Sequence, residues 1–406
     1  MTTKTYGWRL LGITLVSGVL TGLVAIGLHD LLKLIQELVY GYTDGQFLIL
    51  AKQISPLRRA LVLILAGPLV AVCWYFLQKK APLLSIKGQI AGLSRGTYPR
   101  FWQHLGHGLT QILAVGMGVP VGKEVAPREL AALLAGKLSR ARLSRRDQEV
   151  LLAAAAAAGL SAVYQTPIAS MFFLFEGMKA PKNWRSLSLG LIMITTATWV
   201  ANLGIAAKPT YQVTQLDWAK ETWVIAVLLG LLLPPLALWF KQGVQRVQAS
   251  RVKDGKIFLW LTTSMVLVAL LALGLPEILG NGRDAVQAAF LGLSWSYALA
   301  LLVIKTLVVL LALKSGAYGG TLTPGFALGA LLGLLLATGL VGFLPDLSLP
   351  MASVIGAGTF LSVSMGTPLT AIFLTMTFTG QSYLSLLPLA LSVGLATLVT
   401  AIMTKN

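Results

Sequence analysis

The stretch Gly118 to Leu130 reads GVPVGKEVAPREL, and it places one carboxylate, Glu124, among glycines and prolines between two long apolar runs. Glycine and proline interrupt helices, so backbone groups are expected to be exposed here. The run that follows, RELAALLAGKL, forms helices readily, and the first amides and the dipole of a helix attract anions. The sequence therefore predicts an anion site that Glu124 itself occupies until it is protonated or displaced.

Two simpler roles for Glu124 stay open at this point. The carboxylate would cap the helix that follows, an interaction of about 0.3–1 kcal/mol, or it would neutralise Lys123 or Arg128. Ionisable residues at membrane depth are functional candidates by default, which favours the gating role. Glu129, beside Arg128, is interpreted as a charge at the helix start with a local partner.

A second stretch of the same kind, SGAYGGTLTP, ends at Pro324 and precedes the helix-forming run GFALGALLGLLLA. GKEVAP aligns with GGTLTP at an offset of 197 positions, and SAVYQTPIASMFFLF aligns with LSVSMGTPLTAIFLT at an offset of 201. Two matches in the same order indicate an internal duplication, with residues 1–206 as the first repeat and 207–406 as the second. The helix starts at Val125 and Leu322 would then supply amide donors to one anion site.

The composition is that of a membrane protein. Of 406 residues, 56% are hydrophobic and only 11% are charged, whereas a soluble domain carries about 25% charged residues. Several apolar runs approach or exceed the roughly 20 residues that cross a bilayer, and Trp8 to Leu28 is interpreted as a first span and not a removed signal peptide. The chain is therefore expected to be an all-α polytopic protein of the lipid bilayer.

The distribution of charge predicts how the two repeats are oriented. The net charge is +18, but the bases cluster in short loops, so the positive-inside rule explains them and no nucleic-acid partner is expected. The basic loop Lys137 to Arg146 corresponds to Gly342 to Pro350, which carries Asp346 and no base. The basic loop Lys179 to Arg185 corresponds to Thr379 to Ser385, which carries no charge. We therefore expect inverted repeats, an architecture typical of transporters.

Other reactive residues offer little for catalysis or metal binding. His104 and His107 share a helix face but have no nearby acid or cysteine to complete a zinc site, and the single cysteine, Cys73, excludes intrachain disulfides. No nucleophile motif accompanies the three histidines, so we expect neither an enzyme nor a cofactor. Asp284, in GNGRDAV, is interpreted as part of an external loop turn with a local ion pair.

The whole chain resembles the CLC family of chloride channels and anion/proton antiporters. GKEVAP is similar to the family's Gly-Arg-Glu-Gly-Pro motif, with Glu124 at the position of the gating glutamate, and SGAYGGTLTPGFALGALLG is similar to its Gly-Gly-x-Phe-x-Pro motif and the helix that follows. AAAAAAGLSAVYQTPIASMFFLFEGM resembles the intervening segment that carries Ala-Pro. The resemblance implies a helical inverted-repeat fold with broken and re-entrant helices, and a homodimer with a separate pore in each subunit.

Departures from the family motifs bear on mechanism. The family's Gly-Ser-Gly-Ile-Pro motif is not recognisable in PLLSIKGQIAGL, where Ser85 offers the one hydroxyl. Lys123, Val125 and Leu322 replace the family's arginine, glycine and phenylalanine. The chain stops where the family's last helix, with its anion-site tyrosine, would begin, and cytoplasmic regulatory domains are not expected. Gly177 stands at the position of the internal proton-carrying glutamate, with Glu176 one residue before it.

These features define the expected site and its alternatives. Gating and proton transfer are assigned to Glu124 and Glu176. Anion binding is assigned to Lys123, Val125, Thr321, Leu322, Thr323 and Ser85. The missing serine motif, the shortened end and Thr323 resemble the fluoride-exporting branch, although that branch has an acidic residue where Thr321 stands. A threonine at a helix start is also a common cap.

The expected function is transport of a small anion, chloride or fluoride, across the cytoplasmic membrane of a bacterium in exchange for protons. A passive anion channel is the alternative favoured by Gly177 and the missing tyrosine. A membrane scaffold without transport is a further alternative from another class. Glu176 has two readings, a carboxylate at the membrane interface beside Lys179 or a proton relay to Glu124.

Overall fold

A computed structural model describes residues 3–41, 53–215 and 218–405. These residues form sixteen α-helices, two short 3-10 turns and one isolated β-bridge. The helices are α1 (Thr3–Tyr40), α2 (Pro56–Lys80), α3 (Ile86–Leu93), α4 (Phe101–Gly116), α5 (Val125–Ser139), α6 (Arg145–Tyr164), α7 (Pro167–Glu176), α8 (Trp184–Ala201), α9 (Lys220–Ala249), α10 (Ile257–Gly274), α11 (Arg283–Leu291), α12 (Trp295–Ser315), α13 (Leu322–Leu340), α14 (Leu349–Met365), α15 (Pro368–Thr379) and α16 (Leu386–Lys405). The 3-10 turns are Pro276–Ile278 and Tyr383–Ser385.

Seven helices of the described chain are long and apolar enough to cross a bilayer, namely α1, α2, α9, α10, α12, α13 and α16. The chain is therefore a multi-pass integral membrane protein, and the predicted all-α fold class is confirmed. The uncharged run Leu347 to Thr404 contains three helices, because left-handed glycines with φ of 69° and 63° end α14 and α15.

The helices are broken where the sequence predicts it. At the first Thr-Pro pair, α6 ends on Gln165, whose φ is 53°, and Pro167 begins α7. At the second pair, α14 ends on Gly366 and Pro368 begins α15. A left-handed residue terminates a helix and proline suits the first position of the next, so both junctions form for the same local reason. The repeat boundaries at residues 206 and 207 stay a prediction.

The first compact unit comprises Met1–Leu32, Phe76–Ile112 and Lys123–Ala207. Within it α6 packs on α5 and α8, and its run of six alanines, 153–158, is buried. A Cβ added at Gly159 of α6 would lie 2.8 Å from the carbonyl oxygen of Pro127. The absence of a side chain at Gly159 therefore lets α6 support the first turn of α5 directly.

The second compact unit comprises Lys33–Tyr75, Leu113–Gly122 and Lys208–Asn406. Its core is the pair α13 and α14, which approach through small residues. A Cβ added at Gly333 of α13 would lie 2.2 Å from the carbonyl oxygen of Ala352 on α14. Because almost every residue in the first three turns of α13 is buried, this helix belongs to the protein core and not to the lipid surface.

Candidate functional site

The two glycine-rich motifs meet at their backbones. Gly122 and Gly320, both in the second unit, donate to each other's carbonyl oxygens with N to O distances of 2.7 and 2.9 Å. Gly319 packs against Val121 so closely that an added Cβ would lie 2.6 Å from the Val121 Cβ. The structure thus brings together the segments that enter α5 and α13, as the duplicated motifs predict.

Glu124 is the residue before the first turn of α5. The helix begins at Val125, as predicted, and the Glu124 carboxylate makes no capping hydrogen bond to it. The capping role is therefore wrong for this side chain. Only 1% of Glu124 is exposed, and burying a carboxylate costs several kcal/mol unless a positive group compensates or the acid is protonated. Glu124 is thus a buried acid at the start of α5 and not a surface charge.

Arg128, one turn into α5, interacts electrostatically with Glu124, so the alternative that Glu124 neutralises Arg128 stays a prediction. Arg128 also contacts α7. Its guanidinium carbon lies 4.5 Å from the centre of the Phe173 ring on α7, and one of its nitrogens lies 3.9 Å from the sulfur of Met178. A cation over an aromatic face is attracted by about 0.5–2 kcal/mol. The contact between Arg128 and the Phe173 ring therefore joins α5 to the C-terminal end of α7.

Glu129 takes its hydrogen-bond partner from α4, which the sequence did not predict. The Gln111 amide donates to the Glu129 carboxylate at 2.8 Å, and His107 Nε2 lies 3.4 Å from the same oxygen. His104 accepts from the backbone N–H of Leu84 through Nε2 at 3.0 Å, and its Nδ1 lies 3.1 Å from the Arg100 carbonyl oxygen. Both histidines therefore join α4 to neighbouring segments, and among the described residues no cluster has the composition of a metal site.

The second motif has the same layout as the first. Helix α13 begins at Leu322, as predicted, and Thr321 before it makes no capping hydrogen bond through its side chain. Leu322 and Thr323 are each 3% exposed, while Thr321 is half-buried. The common capping role of threonine is therefore not found at Thr321. The anion-binding roles of Lys123, Val125, Thr321, Leu322 and Thr323 stay a prediction.

Ser85 does cap a helix. It precedes α3, and its hydroxyl accepts the backbone N–H of Gly88 at 3.2 Å. The residue is exposed at the protein surface. Anion binding at Ser85 stays a prediction.

Glu176 and Gly177 end α7. Glu176 is the last helical residue and is half-buried. A Cβ added at Gly177 would lie 2.2 Å from Cε2 of Phe173, so the phenylalanine ring occupies the space that any side chain at position 177 would need. The position that the resemblance assigns to an internal glutamate is thus filled by the ring that also contacts Arg128.

Asp284 corrects a sequence prediction. It is 1% exposed, and neither carboxylate oxygen accepts a hydrogen bond from a described residue, so the predicted local ion pair is wrong and Asp284 does not lie in an exposed loop. The reason is that Gly282, with φ of 98°, turns the chain so that α11 begins at Arg283 and Asp284 falls in its buried first turn. Sequence reasoning identified the turn but not its burial.

Lys305 is a functional candidate that the sequence analysis missed. It is fully buried in α12, and its ammonium donates to the carbonyl oxygens of Ile278, Leu279 and Gly280 at 2.6, 3.3 and 2.9 Å. The available signal was a single lysine in the apolar run YALALLVIKTLVVLLAL. Gly280 in turn donates to the carbonyl oxygen of Gly118 at 2.8 Å, so the Lys305-bound loop supports the segment that leads to Glu124.

Comparisons with known proteins agree with this architecture. The sequence model of the family described as "Voltage gated chloride channel" matches residues 67–401. The H(+)/Cl(-) exchange transporter ClcA of Citrobacter koseri is 28% identical, over 96% of this chain and 84% of the relative. The Voltage-gated ClC-type chloride channel ClcB of Escherichia coli O81 is 26% identical, over 92% and 91%.

Solved structures share the fold. A slow cyanobacterial Cl-/H+ antiporter has a TM-score of 0.82 at 21% identity and covers 97% of this chain and 95% of its own. A CLC-type fluoride/proton antiporter has a TM-score of 0.77 at 20% identity and covers 98% and 97%. At these identities the likeness establishes the fold, and the family match covers most of the sequence. The chain belongs to the voltage-gated chloride channel (CLC) family.

Proposed function

We propose that the protein exchanges a small inorganic anion for protons across the membrane, with Glu124 as the gate. The observation that carries the proposal is the placement of Glu124. It is a buried carboxylate that does not cap its helix, two residues after the backbone pair that joins the two motifs. When Glu124 is protonated, its side chain is neutral and the anion can occupy the site. When Glu124 is ionised, its carboxylate competes with the anion for the same site. Anion and proton movement are thereby coupled.

The names of several relatives support exchange, while ClcB is named a chloride channel. The curated relatives include proteins named H(+)/Cl(-) exchange transporter, and the similar structures include a Cl-/H+ antiporter and a fluoride/proton antiporter. Chloride and fluoride are accordingly the two candidate anions. The buried Thr323, beside the helix start at Leu322, offers a hydroxyl of the kind that a strongly hydrated anion such as fluoride requires. We also propose the homodimer that the family resemblance implies.

Proton coupling needs a carboxylate route on the inner side, and Glu176 is the candidate. It ends α7 beside Gly177 and is half-buried, so it has contact with water. A passive anion channel is the second candidate function. It is favoured by the Phe173 ring, which fills the place of a side chain at position 177 and leaves no room for a carboxylate there.

The test compares Glu124→Gln with Glu37→Gln in proteoliposomes loaded with chloride or fluoride. Glu37 is exposed, so the control makes the same chemical change away from the site. We expect Glu124→Gln to abolish proton movement while anions still flow, and Glu37→Gln to behave like wild type. Coupled transport that is unchanged in Glu124→Gln would exclude the gate. Glu176→Gln is expected to reduce proton movement alone.

A further inference from the structure

Asp284 is a buried acid that the gating scheme does not use. Neither of its carboxylate oxygens receives a hydrogen bond from a described residue, and the residue is only 1% exposed. An ionised carboxylate that is buried from the protein surface, with no donor among the described residues, is disfavoured relative to the protonated acid. Burial therefore favours the protonated form of the Asp284 carboxyl group.

The charged and titratable groups around Asp284 set how firmly that proton is held. Arg283 on α11 and Lys305 on α12 favour the ionised form, whereas Glu277 in the 3-10 turn opposes it, and Tyr40 on α1 is a further titratable neighbour. Arg59 on α2 and Tyr297 on α12 interact in turn with Glu277. Helices α13 and α14, which pack on α11, contain no titratable residue. The Lys305 ammonium already donates to three carbonyl oxygens, so it acts on Asp284 through its charge and makes no direct bond to it.

The location of Asp284 links it to the second motif. A Cβ added at Gly282, two residues earlier, would lie 3.4 Å from Cε of Lys305 and 3.5 Å from Cα of Pro324 in GGTLTP. On its other side the same loop holds Gly118 through the backbone of Gly280. A change of charge on Asp284 would therefore occur close to Pro324, in the first turn of α13. It would also occur next to the loop whose Gly280 binds Gly118, in the segment that leads to Glu124.

The positive-inside rule places this carboxyl group toward the outer side. The loop between α9 and α10 is rich in bases, and it bonds to the end of α12 where Lys314 donates to the Ser250 carbonyl oxygen at 2.8 Å. That basic end is cytoplasmic. Helix α10 crosses from it, so the 3-10 turn and the first turn of α11 lie toward the outside. The neighbouring Asn281 and Arg283 are partly exposed there.

We propose that Asp284 is a second proton-binding carboxyl group of the transport cycle, serving the outer half of the protein. It takes a proton from outside water and later releases it. Only its own O–H bond forms and breaks, and the neighbouring Lys305 side chain favours the ionised form. This inference rests on the proposed proton-coupled transport, since a passive channel would have no use for such a group.

The transport test uses Asp284→Asn, which keeps the shape and removes the exchangeable proton, with Asp346→Asn as the matched control at an exposed aspartate of the same repeat. We expect Asp284→Asn to lose anion-driven proton movement and to keep anion flux, and Asp346→Asn to resemble wild type. Wild-type coupling retained in Asp284→Asn would overturn the proposal. Absence of proton movement in wild type would instead refute the proposed function.

A spectroscopic test keeps the proposal open to refutation even if Asp284→Asn does not fold. Infrared difference spectra of the Glu124→Gln protein, recorded as the pH is raised, report buried protonated carboxyl groups other than the gate. We expect a protonated-carboxyl band that titrates in Glu124→Gln and is lost in the double variant Glu124→Gln, Asp284→Asn. If no such band titrates in Glu124→Gln, or if it persists in the double variant, Asp284 does not exchange protons.

Discussion

Gly122 and Gly320 exchange both of their backbone hydrogen bonds, at N to O distances of 2.7 and 2.9 Å. Gly122 lies shortly before the helix that begins at Val125, and Gly320 lies shortly before the helix that begins at Leu322. This one backbone pair therefore fixes the distance between two segments that are far apart in the sequence. A side chain at position 319 would collide with Val121, which explains why glycine occupies that position.

Gly319→Ala tests whether that close approach is needed. The added Cβ would lie 2.6 Å from the Val121 Cβ, so the two segments must separate, at a cost of about 1–3 kcal/mol. Anion flux should fall together with thermal stability in detergent. Gly339→Ala is the control, because nothing lies within 4 Å of its added Cβ. A Gly319→Ala protein with wild-type stability and flux would show that the pair does not position the motifs.

Lys305→Met tests the loop that supports Gly118. Three carbonyl oxygens lose their shared donor, and leaving buried acceptors unsatisfied is expected to lower the free energy of unfolding by about 1–3 kcal/mol. Thermal unfolding in detergent measures the change, with Lys253→Met at an exposed loop position as the control. A Lys305→Met protein as stable as wild type would mean that the ammonium does not hold the loop.

Gly177→Ala tests the packing of the Phe173 ring. Because the added Cβ would lie 2.2 Å from the ring, we expect a loss of about 1–3 kcal/mol in stability, which Phe173→Leu should partly restore in the double variant. Gly12→Ala, where nothing lies within 4 Å, is the control. Strictly additive effects of the two substitutions would indicate that the ring does not fill the space at position 177.

How much of this site could be read from the sequence depends on the range of the interaction. The helix starts at Val125 and Leu322 were predicted because glycine and proline act locally on the backbone. The broken helix at Pro368 follows from equally local chemistry. The predicted turn at Gly282 is present, but the burial of Asp284 depends on α13, which contributes residues some forty positions later.

The contacts that the sequence did not predict are all between distant segments. Lys305 binds carbonyl groups that no side-chain pattern identifies, and the Phe173 ring contacts Arg128 from another helix. Glu129 was expected to have a local partner, and the structure supplies Gln111 from α4. The duplicated motifs predicted that two segments meet, but hydrophobic periodicity does not identify individual side-chain partners, so these contacts require the three-dimensional structure.

The measurement that tests the account most directly is proton movement driven by an anion gradient in proteoliposomes of the wild-type protein. Chloride and fluoride are supplied in turn, and the internal pH is recorded with and without a protonophore. We predict that at least one of the two anions drives protons against their gradient, and that the protonophore abolishes this pH change. Anion flux that leaves the internal pH unchanged would contradict exchange and identify the protein as a passive channel.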